Sequence, residues 1–449
     1  MTRADTIAAI ATPPGTGAIG IIRISGPAAA DLAVQLLGRA PEPRRATLVT
    51  LRDTAGAAID QGLLLYFPAP ASFSGEDMVE LHGHGGPVVL DAVLQRLLEL
   101  GCRAARPGEF TERAFHHGKL DITQAEAVAD LIDASTGAAA RAALRSLQGE
   151  FSARVAGLQQ QLTDLRAWVE ASLDFPDEEI EFLRQGELVG RLARLATSFE
   201  SLQLATRQGV LLRDGLTVVI AGKPNAGKSS LMNRLAGSDV AIVTALPGTT
   251  RDVLRERVQL DGIPLHLIDT AGLRAAHDPV EAEGIRRAHA EFGRADRLLY
   301  IVDAAAADEP LAAAELAQLP TGIPVTIVYN KIDLRPAPQP TDTSANPPCI
   351  GVSAASGEGF ALLVEHLRRI AGSSGDGAGA LSARRRHLDA LARARQHAEA
   401  AAAILTAQGG IELCAEDLRL AQQALGEITG EFTSDDLLGE IFGSFCIGK

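Results

Sequence analysis

LTVVIAGKPNAGKSSLMNRLAG, residues 216–237, decides the reading of this chain. Its first six residues, apolar except for Thr217, form the pattern of a strand buried on both faces of a parallel sheet. The run ends in Gly222-Lys-Pro-Asn-Ala-Gly227-Lys228-Ser229, and a helix-forming stretch, SSLMNRLAG, follows at once. Glycines between a strand and a helix let backbone N–H groups wrap phosphates. Lys228 then reaches the β- and γ-phosphates and the Ser229 hydroxyl suits Mg2+. With strand and helix both in place, an incidental glycine-rich turn does not account for the pattern.

Three more elements follow in order. LHLI, residues 265–268, leads into Asp269-Thr270-Ala271-Gly272. Asp269 suits Mg2+ through water, and the Gly272 N–H suits a γ-phosphate. VTIVY, residues 325–329, leads into Asn330-Lys331-Ile332-Asp333. The Asp333 carboxylate can accept N1–H and N2–H of guanine, a donor pair that adenine lacks, so it selects GTP. A further strand ends in Ser353-Ala354-Ala355, placed to touch guanine O6. Together the four specify a GTPase. Its site is read as Asn225, Ala226, Gly227, Lys228, Ser229 and Ser230, with Asp269, Thr270, Ala271 and Gly272. Asn330, Lys331, Asp333, Ser353, Ala354 and Ala355 complete the base side. Between these lies TALPGTTRD, which contributes Thr244, Ala245, Leu246, Pro247, Gly248, Thr249 and Thr250. Thr250 is its natural second Mg2+ ligand.

One position departs from the Ras pattern. Where a water-orienting Gln follows the glycine of DTAG, this chain has Leu273. A leucine cannot orient a nucleophile, so charge and water must be handled otherwise. Two candidates are visible: Asn225 in the phosphate loop, for which a plain turn residue is the other reading, and the TALPGTTRD segment, Thr244–Asp252.

Outward from this block the texture changes. Residues 1–118 hold short apolar runs broken by Gly and Pro, a mixed or α+β domain. Ile19–Ile24 and Leu63–Phe67 predict strands, and Val88–Leu100, after Pro87, predicts a helix. Residues 119–212 carry long helical periodicity, broken at Pro176. Residues 213–371 alternate strand and helix. AGSSGDGAGALS, residues 371–382, reads as a flexible linker, and residues 384–449 return to helical texture, so that 372–449 is read as the second part of the helical domain. Helical composition on both sides of the βαβ block predicts a discontinuous helical domain with a G domain inserted in it. The fold class is therefore α/β and α, multidomain.

The chain has 449 residues, 46% of them hydrophobic and 22% charged, an ordinary globular balance. A net charge of −14 argues against binding nucleic acid through a general basic field. No signal peptide and no membrane-spanning run is read, which predicts a cytoplasmic protein. Cys102, Cys349, Cys414 and Cys446 form no C-x-x-C pair, so neither a disulfide framework nor a zinc site is expected. His82 and His84 lack a third ligand and are read as part of a glycine-rich turn. Cys446, in SFCIGK, matches a prenylation signal poorly.

GKPNAGKSSLMNRL, GTTRD, DTAGLR, the split helical texture, ATPPGTGAIGIIRISG and the CIGK ending together resemble the bacterial MnmE (TrmE) family of tRNA modification GTPases. The resemblance covers essentially the whole chain. It implies K+ beside the phosphates, on Asn225, Thr244, Leu246 and Thr249, with Mg2+ on Ser229 and Thr250. It implies a catalytic role for Glu281, which read alone is one carboxylate on a solvated acidic face. It implies a tetrahydrofolate-binding N-terminal domain that also dimerises, with Arg23, Glu80, Lys119 and Lys449 as folate-binding residues. The implied activity is K+-stimulated GTP hydrolysis. With an FAD-dependent partner protein, in a heterotetramer, it would install a carboxymethylaminomethyl-type group on the wobble uridine of certain tRNAs. Cys446 could then attack the uridine ring as a nucleophile; the other reading is a small buried packing residue. A GTP switch assisting ribosome assembly is the alternative function. A lipid-anchored GTPase is disfavoured by the poor prenylation match.

Overall fold

The computed structural model describes residues 5–174, 185–237, 255–260, 263–269, 295–305, 323–334, 341–370, 379–406, 411–431, 435–443, 445, 446 and 448. Two compact units form. One comprises Met1–Ala129, Leu147–Leu195 and Ala390–Lys449, the other Asp130–Ser146 and Ala196–Asp389.

The first unit opens with β1 (Ile7–Ile10), β2 (Gly17–Ser25), α1 (Ala29–Leu37), β3 (Thr47–Arg52), β4 (Ala58–Phe67), β5 (Met78–Gly85), α2 (Pro87–Glu99) and β6 (Arg103–Ala104). The predicted strands and helix are all present. The sheet order is β3-β4-β5-β2-β1-β6, antiparallel except for the β1–β6 pair. Side chains alternate between the faces. Ile22 and Ile24 enter a core with Val79, Leu81, Leu90, Val93 and Leu97, while Arg23 points to the opposite face. His82 and His84 lie within β5, not in a turn. The flanking glycines answer to sheet geometry. A Cβ on Gly83 would stand 2.4 Å from Asp60 Oδ2, and one on Gly85 2.6 Å from the Gly17 carbonyl oxygen. His84 Nδ1 meets Asp60 at 2.7 Å, and among the described residues no His, Cys, Asp or Glu cluster could hold a metal.

The chain continues through α3 (Glu109–His116), α4 (Ile122–Asp133), α5 (Gly137–Leu147), α6 (Glu150–Asp174) and α7 (Gln185–Asp214). In α6 the stripe Leu158, Leu162, Leu165 and Val169 is buried, the spacing of one helical face.

The second unit is built on β7 (Leu216–Gly222), α8 (Lys228–Ala236), β8 (Arg255–Leu260), β9 (Ile263–Asp269), β10 (Arg297–Asp303), β11 (Val325–Asn330), β12 (Cys349–Gly351) and α9 (Phe360–Ile370). Sheet order is β12-β11-β10-β7-β9-β8, with only β8 antiparallel. Chain order reverses at β7, and an open parallel sheet binds ligands outside the carboxyl ends of its strands at such a switch point. Register aligns those ends: Ile220 with Asp269, Gly222 with Ile301, Asp303 with Asn330, Tyr329 with Gly351.

The stretch read as a linker is packed at its end. Residues 371–378 lie outside the described residues, but Ala380 and Leu381 are fully buried. Arg145 Nε donates to the Ala380 carbonyl at 3.0 Å. Ser146 Oγ donates to the Ser382 carbonyl at 3.1 Å, and Ser382 Oγ to Asp130 at 2.6 Å. Gly209 in α7 admits the Leu381 carbonyl where any side chain would collide with it. The close approach is made by Gly209, while Gly379, φ +93°, has no atom within 4 Å of where a Cβ would stand.

The remaining helices are α10 (Arg385–Thr406), α11 (Ile411–Thr429) and α12 (Asp435–Gly443). α11 meets α6 through Arg166 on Gln422 at 3.2 Å and Gln422 on Thr163 at 2.6 Å. Phe442 and Phe445, in and just after α12, bury themselves against Ile122 and Ala125.

Candidate functional sites: a nucleotide loop and the Cys446 segment

The phosphate loop is shaped by its glycines. Gly222 has φ +149° and Gly227 φ +93°. A Cβ on Gly222 would stand 2.3 Å from the Ile301 carbonyl oxygen, and one on Gly227 2.1 Å from Asn330 Nδ2. Both are needed for close approach as well as for backbone freedom. Asn225 has φ +63° and is exposed. That φ satisfies the turn reading, since Asn tolerates the left-handed region; the exposed carboxamide keeps the ligand reading open. Lys228 opens α8, largely buried, and its ammonium donates to the Gly222 and Lys223 carbonyls at 2.9 and 2.8 Å. Ser229 and Ser230 are exposed in the first turn of α8.

Asn330, at the end of β11, is 1% exposed. Its Nδ2 donates to the Ala226 carbonyl at 2.9 Å, and its Oδ1 accepts from Ala354 N–H at 3.0 Å. It therefore staples the phosphate loop to the loop expected at guanine O6. Lys331, φ +66°, pairs with Asp303 at 2.6 Å. Asp333 lies exposed in the short helical turn Ile332–Leu334, open to the edge of a base. Ser353 is fully buried, and its Oγ accepts from Ser356 N–H at 3.0 Å. The structure thus brings together residues 225–230, Asn330, Lys331, Asp333 and residues 353–355. Asp269 ends β9 beside β7, in register with Ile220. Thr244, Ala245, Leu246, Pro247, Gly248, Thr249, Thr250, Thr270, Ala271, Gly272, Leu273, Glu281 and Lys449 lie outside the described residues. Sequence reading missed Arg234, which grips the carbonyls of Ala354, Ala355 and Ser356. The only signal was a cation on the phosphate-loop helix.

In the first unit Arg23 and Glu80 face each other across β2 and β5 and pair at 2.9 Å. Arg23 stands 5.4 Å from the Phe73 ring centre and 5.8 Å from that of Phe110, cation–π range. Neither aromatic was anticipated. Glu80 also meets His82 Nε2 at 3.2 Å. Lys119 is exposed and donates to the Pro70 carbonyl at 3.1 Å, on the loop that carries Phe73.

Cys446 is exposed, whereas Phe445 beside it is buried, so the packing reading of Cys446 gives way. Its carbonyl accepts from Gly108 N–H at 3.3 Å. Gly108 has φ +67°, and a Cβ there would stand 2.5 Å from the Phe442 carbonyl oxygen. Gly448, φ +97°, lies so close to β1 that a Cβ would stand 2.3 Å from the Ile10 carbonyl oxygen. Phe110, under Arg23, is two residues from Gly108. The Cys446 segment therefore lies along the same domain as Arg23 and Glu80. Burial pushes the Cys102 thiol up to about 11, and burial with Asp417 nearby pushes Cys414 up to about 11.

Two family models match the chain. The MnmE helical domain matches residues 122–446, and the GTP-binding protein TrmE N-terminus matches residues 6–119. The tRNA modification GTPase MnmE of Thiobacillus denitrificans is 57% identical over 448 residues, covering 100% of this chain and 98% of the relative. Its namesake from Sodalis glossinidius is 55% identical, covering 100% of both. That of Chromohalobacter salexigens is 54% identical, covering 100% of this chain and 98% of the relative. With identity of this level along its whole length, and with the phosphate loop stapled to the loop at residues 353–355, the chain belongs to the MnmE family of tRNA modification GTPases.

Proposed function

We propose that the chain couples K+-stimulated GTP hydrolysis to modification of the tRNA wobble uridine. It acts with an FAD-dependent partner protein and a one-carbon tetrahydrofolate donor, in the cytoplasm. The observation that carries the reading is the exposed Cys446 held at Gly108, two residues from the ring that underlies Arg23. A nucleophile and a cation beside an aromatic wall lie in one compact unit. Arg23 suits a glutamyl carboxylate, which would compete with Glu80 for the guanidinium. Glu80, so released, suits the N–H pair of a pterin, and Lys119 and Lys449 suit further carboxylates. In the G domain Ser229 and Thr250 would hold Mg2+. Asn225, Thr244, Leu246 and Thr249 would hold K+, and Glu281 would help orient the attacking water. The cations supply positive charge to a developing phosphate transition state. The family match over 122–446 encloses all the strands of the second sheet, which supports a G domain inserted into a discontinuous helical domain. The boundaries proposed are 1–118, 119–212, 213–371 and 372–449. Among the described residues no helix is long and apolar enough to cross a membrane. Mass analysis of tRNA from cells lacking this chain should find the carboxymethylaminomethyl-type group missing from wobble uridines; unchanged wobble uridines would overturn the reading.

The same reading makes the protein a homodimer through its N-terminal domain, with G domains that approach each other only on GTP-like ligands. Supporting it, the sheet face away from α1 and α2 exposes Leu48 and Leu63, paired on β3 and β4, and Ile19 on β2, at 65%, 40% and 66%. Apolar side chains so clustered and so exposed suit a self-complementary contact. Light scattering at micromolar concentration should give twice the chain mass, and Leu48→Glu with Leu63→Glu should halve it. A monomeric wild type would count against the dimer.

A further inference from the structure

We propose that Arg234 is the positioning residue that aims the guanine-reading loop, and that it sets recognition of the base at O6. The guanidinium is carried by the last turn of α8, the helix that begins at the phosphate loop. Its Nη1 donates to the Ala354 and Ala355 carbonyls at 2.8 and 2.9 Å, and Nη2 to the Ser356 carbonyl at 3.3 Å. It stacks over Phe360 with 5.7 Å to the ring centre. Gly357, φ +92°, makes the room: a Cβ there would stand 2.2 Å from Nη2. Three carbonyls, a ring face and a glycine all converge on one planar cation, a geometry a lysine cannot reproduce.

The consequence follows from peptide planarity. In a trans peptide the N–H points opposite to the C=O of the same unit. Arg234 holds the Ala354 carbonyl, so the Ala355 N–H points away from the guanidinium, and no described residue accepts from it. The neighbouring donors are spent, Ala354 N–H on Asn330 and Ser356 N–H on Ser353. The donor left for an acceptor on a bound base is the Ala355 N–H, and guanine O6 is that acceptor. Asp333 reads N1–H and N2–H, so the two edges of the base are read by separate groups.

The inference rests on the guanine reading of these motifs. Its test compares GDP, 6-thio-GDP and IDP binding to the full chain and to Arg234→Met and Arg234→Lys. Sulfur at position 6 is a poor acceptor, and inosine lacks the 2-amino group. The wild type should prefer GDP over both analogues. Arg234→Met should bind GDP about tenfold more weakly, or about 1.4 kcal/mol. Its preference for GDP over 6-thio-GDP should collapse while its preference over IDP is kept, and Arg234→Lys should fall between. Gly357→Ala, which crowds the guanidinium, should repeat the pattern through a different residue. If both preferences fall together, or neither changes, Arg234 is no more than a packing cation and the proposal is overturned. A wild type that binds ADP as tightly as GDP would instead overturn the guanine reading itself.

Discussion

GTP hydrolysis by this chain should run at least about tenfold faster in K+ than in Na+, and Asn225→Ala should erase the difference. The size follows from what is missing. Leu273 stands where a Ras-like protein orients water, and the charge an arginine finger supplies is worth roughly 10³–10⁵ in rate. A monovalent cation held by the phosphate loop can recover part of that. Asn225 offers an exposed carboxamide oxygen in the loop, while Lys228 and the loop amides hold the phosphates whichever salt is present. Alanine at φ +63° adds strain of about 1 kcal/mol, so Asn225→Gly is the cleaner partner variant. It adopts the same φ without strain and removes the carboxamide. Steady-state rates in matched KCl and NaCl, with GDP affinity measured alongside, decide the matter. Equal wild-type rates in the two salts would remove the cation from the mechanism.

Cys446→Ser should abolish wobble-uridine modification while leaving GTP affinity, K+-stimulated hydrolysis and folding intact. Phe445, not Cys446, fills the core beneath α12, so exchanging an exposed sulfur for oxygen should cost within about 0.5 kcal/mol of stability. A serine hydroxyl is far less nucleophilic near neutral pH. Deleting residues 446–449 should have the same effect on tRNA and should also weaken folate binding by removing Lys449. Nucleoside mass analysis in the Cys446→Ser strain is the measurement. Normal modification there would take the thiol out of the chemistry.

The second unit was legible because its motifs are local. A strand, a glycine-spaced loop and a helix N-terminus occupy neighbouring residues, and each motif sits where a strand ends. What joins the motifs was not legible. Asn330 reaches Ala226 across 104 residues, and Arg234 reaches Ala354 across 120. No periodicity announces a contact that the sheet order alone creates. Glycine misled twice. Beside His82 and His84 it suggested a turn, where the missing side chain makes room for a neighbouring segment. Before Leu381 it suggested a linker, where the close approach is made by Gly209 on α7 and by the buried Ala380 and Leu381. Phe73 and Phe110 were overlooked because a single aromatic in a loop or a short helix has no pattern; their pairing with Arg23 exists only after folding.

The seat of Cys446 also has a place in time. Its backbone partner Gly108 leaves the ribosome about 340 residues earlier, which at typical elongation rates is roughly 20–70 s. The sheet of the first unit is complete before that interval and the GTP-binding unit is synthesised during it, while the notch at Gly108 and Ile10 has nothing to hold. The seat of Cys446 is therefore completed after the GTP-binding unit has been made. A chain released before residue 446 would still carry the strands and loops of the second unit, and would lack the exposed thiol seated at Gly108.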